Sequence, residues 1–290
     1  MIPAPFDYHR AGSLEEAIGL LSRYKADAKL LSGGMSLLPT LKLRLGSFGH
    51  LVDISRIASL EYIKEEKGMV RIGAGTRQCT LERSELIRSK YGVLADAVPL
   101  IADPLVRNRG TIGGNVANGD PANDEPAIII ALGAELVARG PKGERSIPAN
   151  RFYKDLFVTD LKADEILVEL RIPVPPPRSG SAYRKLKRKT GDFAVAAVAV
   201  QLTLDAKGAV ERAGIALTNA APTPIEAVEA SKFLAGKTPS EDVIAKASRL
   251  AADAGAPSAD RRGSVEYKRE MARVLAARAL RAALERAGGK

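Results

Sequence analysis

The sequence has very few residues that could carry metal or disulfide chemistry. Its 290 residues include one cysteine, Cys79, and two histidines, His9 and His50. One cysteine cannot form a disulfide within the chain, and iron–sulfur clusters or typical zinc sites need more ligands than these three residues provide. No histidine is near Cys79 in the sequence, which favours a structural cysteine over a nucleophile. We therefore expect no metal site and no catalytic residue in this chain.

Tryptophan and long apolar runs are also missing. Aromatic residues make up 4% of the chain and hydrophobic residues 46%, so the core must be largely aliphatic. No apolar run approaches the ~20 residues of a membrane-spanning helix, and residues 1–6 do not look like a signal peptide. We expect a globular protein of two or three domains in the cytoplasm, where any contact with a membrane would be made through a complex.

Positive charge is in excess, with a net charge of +10. The densest basic cluster, Arg184–Lys189, contains no aromatic residue on which a nucleic acid base could stack. The excess therefore favours a basic surface over a nucleic-acid site, although a basic binding module without enzymatic activity stays an alternative.

Two Gly-Gly motifs lie roughly eighty residues apart, in Ser32–Ser36 and Thr111–Asn115. Paired glycines let a backbone turn sharply and approach a ligand closely, and successive N–H groups in such a loop form an anion site. We therefore expect two loops that could hold a diphosphate from two sides.

Standard nucleotide motifs do not fit. Gly236-Lys237-Thr238 resembles the end of a phosphate loop, but Ser231 occupies the place of its first glycine. Gly73 begins a dinucleotide-type pattern in which Gln78 replaces the third glycine. With no chemistry of its own, the chain is expected to depend on a bound organic cofactor if it is part of an enzyme.

A polar segment follows the second motif and includes Asn118, Asp120, Asn123, Asp124 and Glu125. It is consistent with a solvated loop before a helix, and equally with hydrogen bonds to a polyol or to the edge of a ring.

Hydrophobic periodicity predicts an α+β fold. The N-terminal part reads as helix, strand, loop, helix and strand, with Ser13 and Glu16 as a capping box. Prolines between 173 and 177 separate it from a C-terminal part of successive strands and then helices. The predicted elements are helices near 14–21, 37–45, 81–87, 93–100 and 126–131, a last helix with its apolar stripe at 267–282, and strands near 29–31, 50–54, 70–75, 135–137, 166–170, 183–189, 194–204 and 213–217.

An ordered set of motifs resembles one family, the FAD-binding medium subunits of molybdenum hydroxylases, which include those of xanthine dehydrogenase and aerobic carbon monoxide dehydrogenase. The motifs are Ser32–Ser36, Arg107–Asn115, Asp120-Pro121, Asp164–Leu167 and Gly191–Ala194. The resemblance implies two N-terminal α/β subdomains that bind FAD, of the vanillyl-alcohol-oxidase type, at about 1–57 and 58–177. It further implies a three-stranded antiparallel sheet with a helical bundle at 178–290.

The resemblance also implies a set of FAD contacts. Both Gly-Gly motifs would bind the diphosphate through backbone amides, with side-chain bonds from Thr111 and Asn115. Ser32 stands where the family usually has alanine. Met35 stands where the family usually has histidine, and this replacement removes a side-chain donor at position 35. The implied cofactor-binding residues are Lys29, Leu30, Leu31, Ser32, Gly33, Gly34, Met35, Ser36, Ile101, Thr111, Gly113, Gly114, Asn115, Asp124, Leu167, Lys185 and Phe193.

By resemblance, the chain is expected to carry FAD in a complex with a large molybdenum-cofactor subunit and a small subunit with two-iron two-sulfur clusters. The complex would be a dimer of heterotrimers that passes electrons to an external acceptor. A stand-alone FAD oxidoreductase remains an alternative. The substrate and the acceptor cannot be read from this chain.

Overall fold

A computed structural model describes residues 2–288. The N-terminal unit is a three-stranded parallel sheet of order β1-β3-β2. Its strands and helices alternate along the chain as β1 (Asp7–Arg10), α1 (Leu14–Tyr24), β2 (Ala28–Leu31), α2 (Leu37–Lys42) and β3 (His50–Asp53).

Capping by polar side chains sets the start of α1, as predicted. Ser13 accepts a hydrogen bond from the Glu16 N–H at 3.1 Å, and the Glu16 carboxylate accepts one from the Gly12 N–H at 2.8 Å. The prediction for α2 was wrong at its end, because the helix stops at Lys42 and Leu45 is 76% exposed. Strand β1 was not predicted.

The middle unit is a five-stranded antiparallel sheet of order β4-β5-β10-β6-β7, with short helices around it. Its elements are β4 (Ile63–Glu66), β5 (Met69–Gly73), α3 (Gln78–Arg83), α4 (Glu85–Lys90), α5 (Gly92–Ala97), α6 (Pro104–Arg107), α7 (Ile112–Asn118), α8 (Asp124–Ala131), β6 (Glu135–Gly140), β7 (Gly143–Pro148), α9 (Ala149–Phe152), β8 (Tyr153–Asp155), β9 (Val158–Thr159) and β10 (Ile166–Pro173).

Two predictions in this unit need correction. The helix predicted at 81–87 is broken at Ser84, which has extended backbone and caps α4 through the Ile87 N–H. The second Gly-Gly motif is not a loop, because Gly113 and Gly114 lie in the first turn of α7. Thr111 caps this helix by accepting a hydrogen bond from the Gly114 N–H at 3.1 Å.

The C-terminal unit is an antiparallel sheet of order β11-β12-β13-β14 with three helices. The implied three long strands are present, and a two-residue strand is added at the edge. The elements are β11 (Ser179–Leu186), β12 (Ala196–Leu204), β13 (Val210–Thr218), β14 (Ile225–Glu226), α10 (Val228–Leu234), α11 (Glu241–Asp253) and α12 (Val265–Ala287).

Both faces of this sheet are covered. Ala197 and Ala199 of β12 belong to the core around α5 and α8, whereas Val198, Val200 and Leu202 belong to the core formed with α10, α11 and α12. Because successive side chains of a strand point to opposite faces, the nearly unbroken apolar run of β12 reflects burial on both sides. None of the helices in residues 2–288 has the length and apolarity to cross a bilayer.

The close approach of α12 to the sheet depends on Gly180 in β11. A Cβ atom at this position would collide with the Ala283 carbonyl oxygen and the Ala287 nitrogen of α12. We expect Gly180→Ala to lower the free energy of unfolding by about 1–3 kcal/mol through overpacking, measured as a lower Tm. Gly19→Ala in the exposed face of α1 is the control. Apart from the helix's own backbone, an added Cβ there would have no atom within 4 Å, so this variant should be neutral or stabilising. An unchanged Tm for Gly180→Ala would contradict this packing.

Candidate functional site

The two Gly-Gly motifs meet in the folded chain. The hydroxyl oxygens of Ser32 and Thr111 are 2.9 Å apart and hydrogen-bonded. Gly33 lies directly against the residues that precede the second motif, because a Cβ there would be 2.8 Å from the Gly110 Cα and would overlap the Arg109 carbonyl oxygen. The glycine is therefore needed for the two segments to approach each other.

The first motif presents free backbone donors. Within residues 2–288, the N–H groups of Gly33, Gly34, Met35 and Ser36 donate to no protein acceptor. Gly34 has a φ of +76°, which turns the chain from β2 into α2. Consecutive free N–H groups at such a turn form a concave site for an anion.

The second motif offers different groups, because its own fold already uses its amides. The Gly113 N–H donates to the Ala74 carbonyl at 2.9 Å, and the Gly114 N–H donates to the Thr111 hydroxyl. Gly114 is exposed, whereas the other three glycines of the two motifs are buried. The Asn115 Oδ1 atom is buried and has no partner in the described part of the chain, so it can accept a hydrogen bond from a ligand.

Asp124 and Lys185 bind each other in a buried ion pair. The Lys185 Nζ is 2.7 Å from Asp124 Oδ2, and the Tyr183 hydroxyl donates to Asp124 Oδ1 at 2.6 Å. The side chains of Lys185 and Asp124 are 1% and 6% exposed. Burial raises the pKa of Asp124, while the Lys185 charge and the Tyr183 hydrogen bond act in the opposite direction.

The neighbouring Glu125 has no cation beside it among the described residues. It is fully buried, and its Oε2 accepts a hydrogen bond from the Gln78 Nε2 at 2.9 Å. Three buried oxygens, Glu125 Oε1, Gln78 Oε1 and the Tyr153 hydroxyl, have no partner within residues 2–288. Burial raises the pKa of Glu125 well above its usual range, and the negative charge of Asp124 adds to this. The hypothesis of a solvated loop is therefore wrong for Asp124 and Glu125.

The segment around Ile101 connects the ion pair to Phe193. The Leu100 carbonyl lies 3.4 Å from Lys185 Nζ, and Ala102 lies against Gly191, two residues before Phe193. Ile101 is buried, whereas Phe193 is 43% exposed. Of the other predicted contacts, Leu167 is buried in β10, Leu30 and Leu31 are half-buried in β2, and Lys29, Met35 and Ser36 are exposed.

Sequence reasoning missed Gln78 and Tyr183 as part of this arrangement. Gln78 joins the second motif through its N–H, which donates to the Gly110 carbonyl at 2.9 Å. Its sequence signal was its place after the Gly73–Gly75 segment, at the third glycine position of a dinucleotide-type pattern. Tyr183 carried no local signal, because its partner Asp124 is 59 residues away.

Comparisons with known proteins agree with one another over the whole chain. Residues 4–175 match the family described as FAD binding domain in molybdopterin dehydrogenase, and residues 181–283 match the CO dehydrogenase flavoprotein C-terminal domain. The carbon monoxide dehydrogenase medium chain of Afipia carboxidovorans is 46% identical over 287 residues, which are 99% of each chain.

Solved structures show the same likeness. Reconstituted CO dehydrogenase from Oligotropha carboxidovorans contains a chain that is 45% identical, with a TM-score of 0.96 and coverage of 99% of this chain and 100% of that one. A chain of quinoline 2-oxidoreductase from Pseudomonas putida 86 is 31% identical, with a TM-score of 0.92 and coverage of 99% of both chains.

Two buried glutamates are expected to respond to pH in opposite ways. A carboxyl whose pKa is raised in the fold stabilises the protein below its ordinary pKa, and this contribution is lost as the pH rises through the folded pKa. Glu125→Gln resembles the protonated acid and adds donors for the unpaired oxygens, so it should raise the free energy of unfolding above pH 7 by about 1–3 kcal/mol. Urea unfolding across pH measures this.

Glu169 provides the matched opposite case. Arg71 and Arg171 each donate to its carboxylate at 2.6 Å, and hydrogen bonds from these arginines and from Tyr62 lower the pKa of Glu169 against the opposing effect of burial. Its contribution is present above its ordinary pKa and is lost as the pH falls, so Glu169→Gln should destabilise the protein at neutral pH. If Glu125→Gln lost as much stability as Glu169→Gln, the result would show that Glu125 is ionised and paired in the folded protein.

Proposed function

Because the chain belongs to the family of FAD-binding subunits of molybdenum-containing dehydrogenases, we propose that it carries the flavin through which a molybdenum hydroxylase releases its electrons. The observation that carries the proposal is the meeting of the two Gly-Gly motifs, with four free N–H groups on one side and a hydroxyl and an exposed glycine on the other.

The residues present fit a dinucleotide with a diphosphate. The free N–H groups of 33–36 are donors for phosphate oxygens, and Gly114 leaves room for the ligand beside Thr111. Asn115 Oδ1, which needs a donor, suits a hydroxyl of the cofactor. In this arrangement the first motif supplies most of the backbone hydrogen bonds, and the second supplies side chains and space.

The remaining predicted contacts would surround the ring systems. We propose that Lys185, fixed by Asp124, places positive charge near the polar edge of the flavin, and that Phe193 lies beside its ring. Ile101 and Leu167 would provide apolar walls, and Lys29, Leu30 and Leu31 would lead the chain to the diphosphate. Bound FAD supplies the redox chemistry, accepting electrons singly or in pairs; these residues bind it, orient it and limit the access of water.

The composition of the chain supports a division of labour between subunits. Residues 2–288 hold no cluster of three or more His, Cys, Asp or Glu side chains suited to a metal ion, so the ligands of the other redox centres would come from partner chains. We propose a large subunit with the molybdenum cofactor, a small iron–sulfur subunit and an external acceptor, assembled as a dimer of heterotrimers in the cytoplasm.

Within this chain, we propose that residues 1–177 form the FAD-binding part, in subdomains of about 1–57 and 58–177, and that 178–290 form the C-terminal part. Among the relatives named above, the medium chain of carbon monoxide dehydrogenase gives this proposal its main support. A chain of quinoline 2-oxidoreductase has the same fold, which is consistent with a substrate chosen by the large subunit.

Gly114→Val gives a sharp test of FAD binding. Its Cβ would lie 2.8 Å from the Thr111 hydroxyl oxygen and 3.8 Å from the Ser32 Cβ, at the place where the two motifs meet. Loss of one hydrogen bond to the charged diphosphate costs ~1.5–3 kcal/mol, so FAD affinity should fall about 10- to 150-fold. Flavin absorbance and FAD titration of the chain, alone and in its complex, measure this.

The control is Gly19→Ala, which is remote from the site and should bind FAD like the original chain. Gly33 and Gly113 are unsuitable for this test, because a Cβ at either would overlap backbone atoms and disturb folding. If the original chain binds no FAD in either setting, the proposed function is wrong. If Gly114→Val binds FAD normally, the diphosphate lies elsewhere.

A further inference from the structure

The loop between α11 and α12 reaches from the C-terminal helices to the turn that carries Phe193. From this loop, Arg262 Nη2 donates to Asp192 Oδ1 at 3.2 Å, and the guanidinium carbon lies 5.9 Å from the centre of the Phe193 ring. Arg188 Nε donates to the other oxygen of Asp192 at 2.9 Å. Asp192, next to the exposed aromatic ring, is therefore held by two arginines from different segments.

The loop that presents Arg262 is itself anchored. Lys268, in the first turn of α12, is 2% exposed. Its Nζ donates to the Ser258 carbonyl at 2.8 Å and lies 3.0 Å from the Asp260 carboxylate. The same carboxylate accepts a hydrogen bond from the Arg262 N–H at 2.7 Å. A buried lysine thus fixes the backbone from which Arg262 extends.

The turn that receives Arg262 carries a partly exposed aromatic side chain. Gly191 has a φ of +79°, and the Phe193 N–H donates to Asp192 Oδ1 at 2.9 Å. Since 43% of Phe193 is exposed and it belongs to none of the buried core clusters, core packing constrains its ring less than that of a buried aromatic residue. The cation–π contact with Arg262 and the ion pair through Asp192 are the polar interactions available to fix it.

We propose that Arg262 is a positioning residue that holds Phe193 over the bound flavin and thereby limits how readily an external electron acceptor reaches it. The inference rests on the proposed function, because it takes the flavin to lie beside Phe193. It assigns to the loop between α11 and α12 a part in controlling electron exit.

The test measures how fast menadione, a small neutral quinone, reoxidises the flavin after chemical reduction. The sample is the full chain with bound FAD, either alone or in its complex, whichever retains the cofactor. Arg262→Gln should raise the second-order rate constant about three- to fivefold, since the substitution removes one cation–π pair and one partly exposed ion pair. The visible circular dichroism of the flavin should change in parallel. Arg262→Lys, which keeps a cation within reach of Asp192, should restore part of the protection.

Arg261→Gln is the matched control, because Arg261 is exposed in the same loop and its replacement changes the net charge equally. It should leave both readouts unchanged. Phe193→Leu should reproduce the faster reoxidation, and adding Arg262→Gln to it should have no further effect, because Arg262 acts through the ring.

The outcomes separate the two proposals. Absence of FAD from the original chain and from its complex would overturn the proposed function itself. Bound FAD with the same rate constant in the Arg262→Gln and Arg261→Gln variants would overturn the role of Arg262 alone. If Arg262→Gln does not retain FAD, Asp192→Asn removes the same ion pair from its other end, and an unchanged rate constant in that variant would overturn the inference.

Discussion

The close backbone contact between Gly33 and the Arg109-Gly110 segment is the constraint on which the site depends. It joins the parallel N-terminal sheet to the antiparallel middle unit, and the Ser32–Thr111 hydrogen bond lies beside it. Any side chain at Gly33 would push the two units apart and separate the free amides of one motif from the hydroxyl and amide side chains of the other. Packing and the proposed binding of the diphosphate thus depend on the same small residue.

Two adjacent acidic residues of α8 show two different solutions to burial. Asp124 is compensated by Lys185 and Tyr183, which belong to the C-terminal sheet, so this charge connects the two main parts of the chain. Glu125 has no cation beside it within residues 2–288, and burial raises its pKa well above its usual range while Gln78 donates a hydrogen bond to it. Because desolvation of an unpaired carboxylate is costly, the charge of this region is concentrated in one ion pair next to the proposed flavin position.

Local patterns predicted local structure well. The Ser13–Glu16 capping box and the apolar stretch before Gly33 identified α1 and β2, and the apolar run in 194–204 identified β12. Sequence patterns were insufficient where tertiary contacts determine the local structure. Gly113 lies in a helix and packs closely on Ala74, and β1 pairs with β3 without a distinctive sequence of its own. The family resemblance selected Asp124 and Lys185, but it did not predict that they would bind each other across 61 residues.

Helix α8 belongs to a core that the middle unit shares with one face of the C-terminal sheet. All eight of its residues are buried, and it packs against β12 and β13 as well as α5 and α7. The small alanine side chains on one face of β12 pack in the core that contains this helix, and the larger side chains on the other face pack in the core that contains α10–α12. A chimera of two relatives joined near residue 177 would therefore combine a foreign helix with a native sheet face. To exchange the C-terminal part between relatives without repacking, α8 would have to be transferred with it.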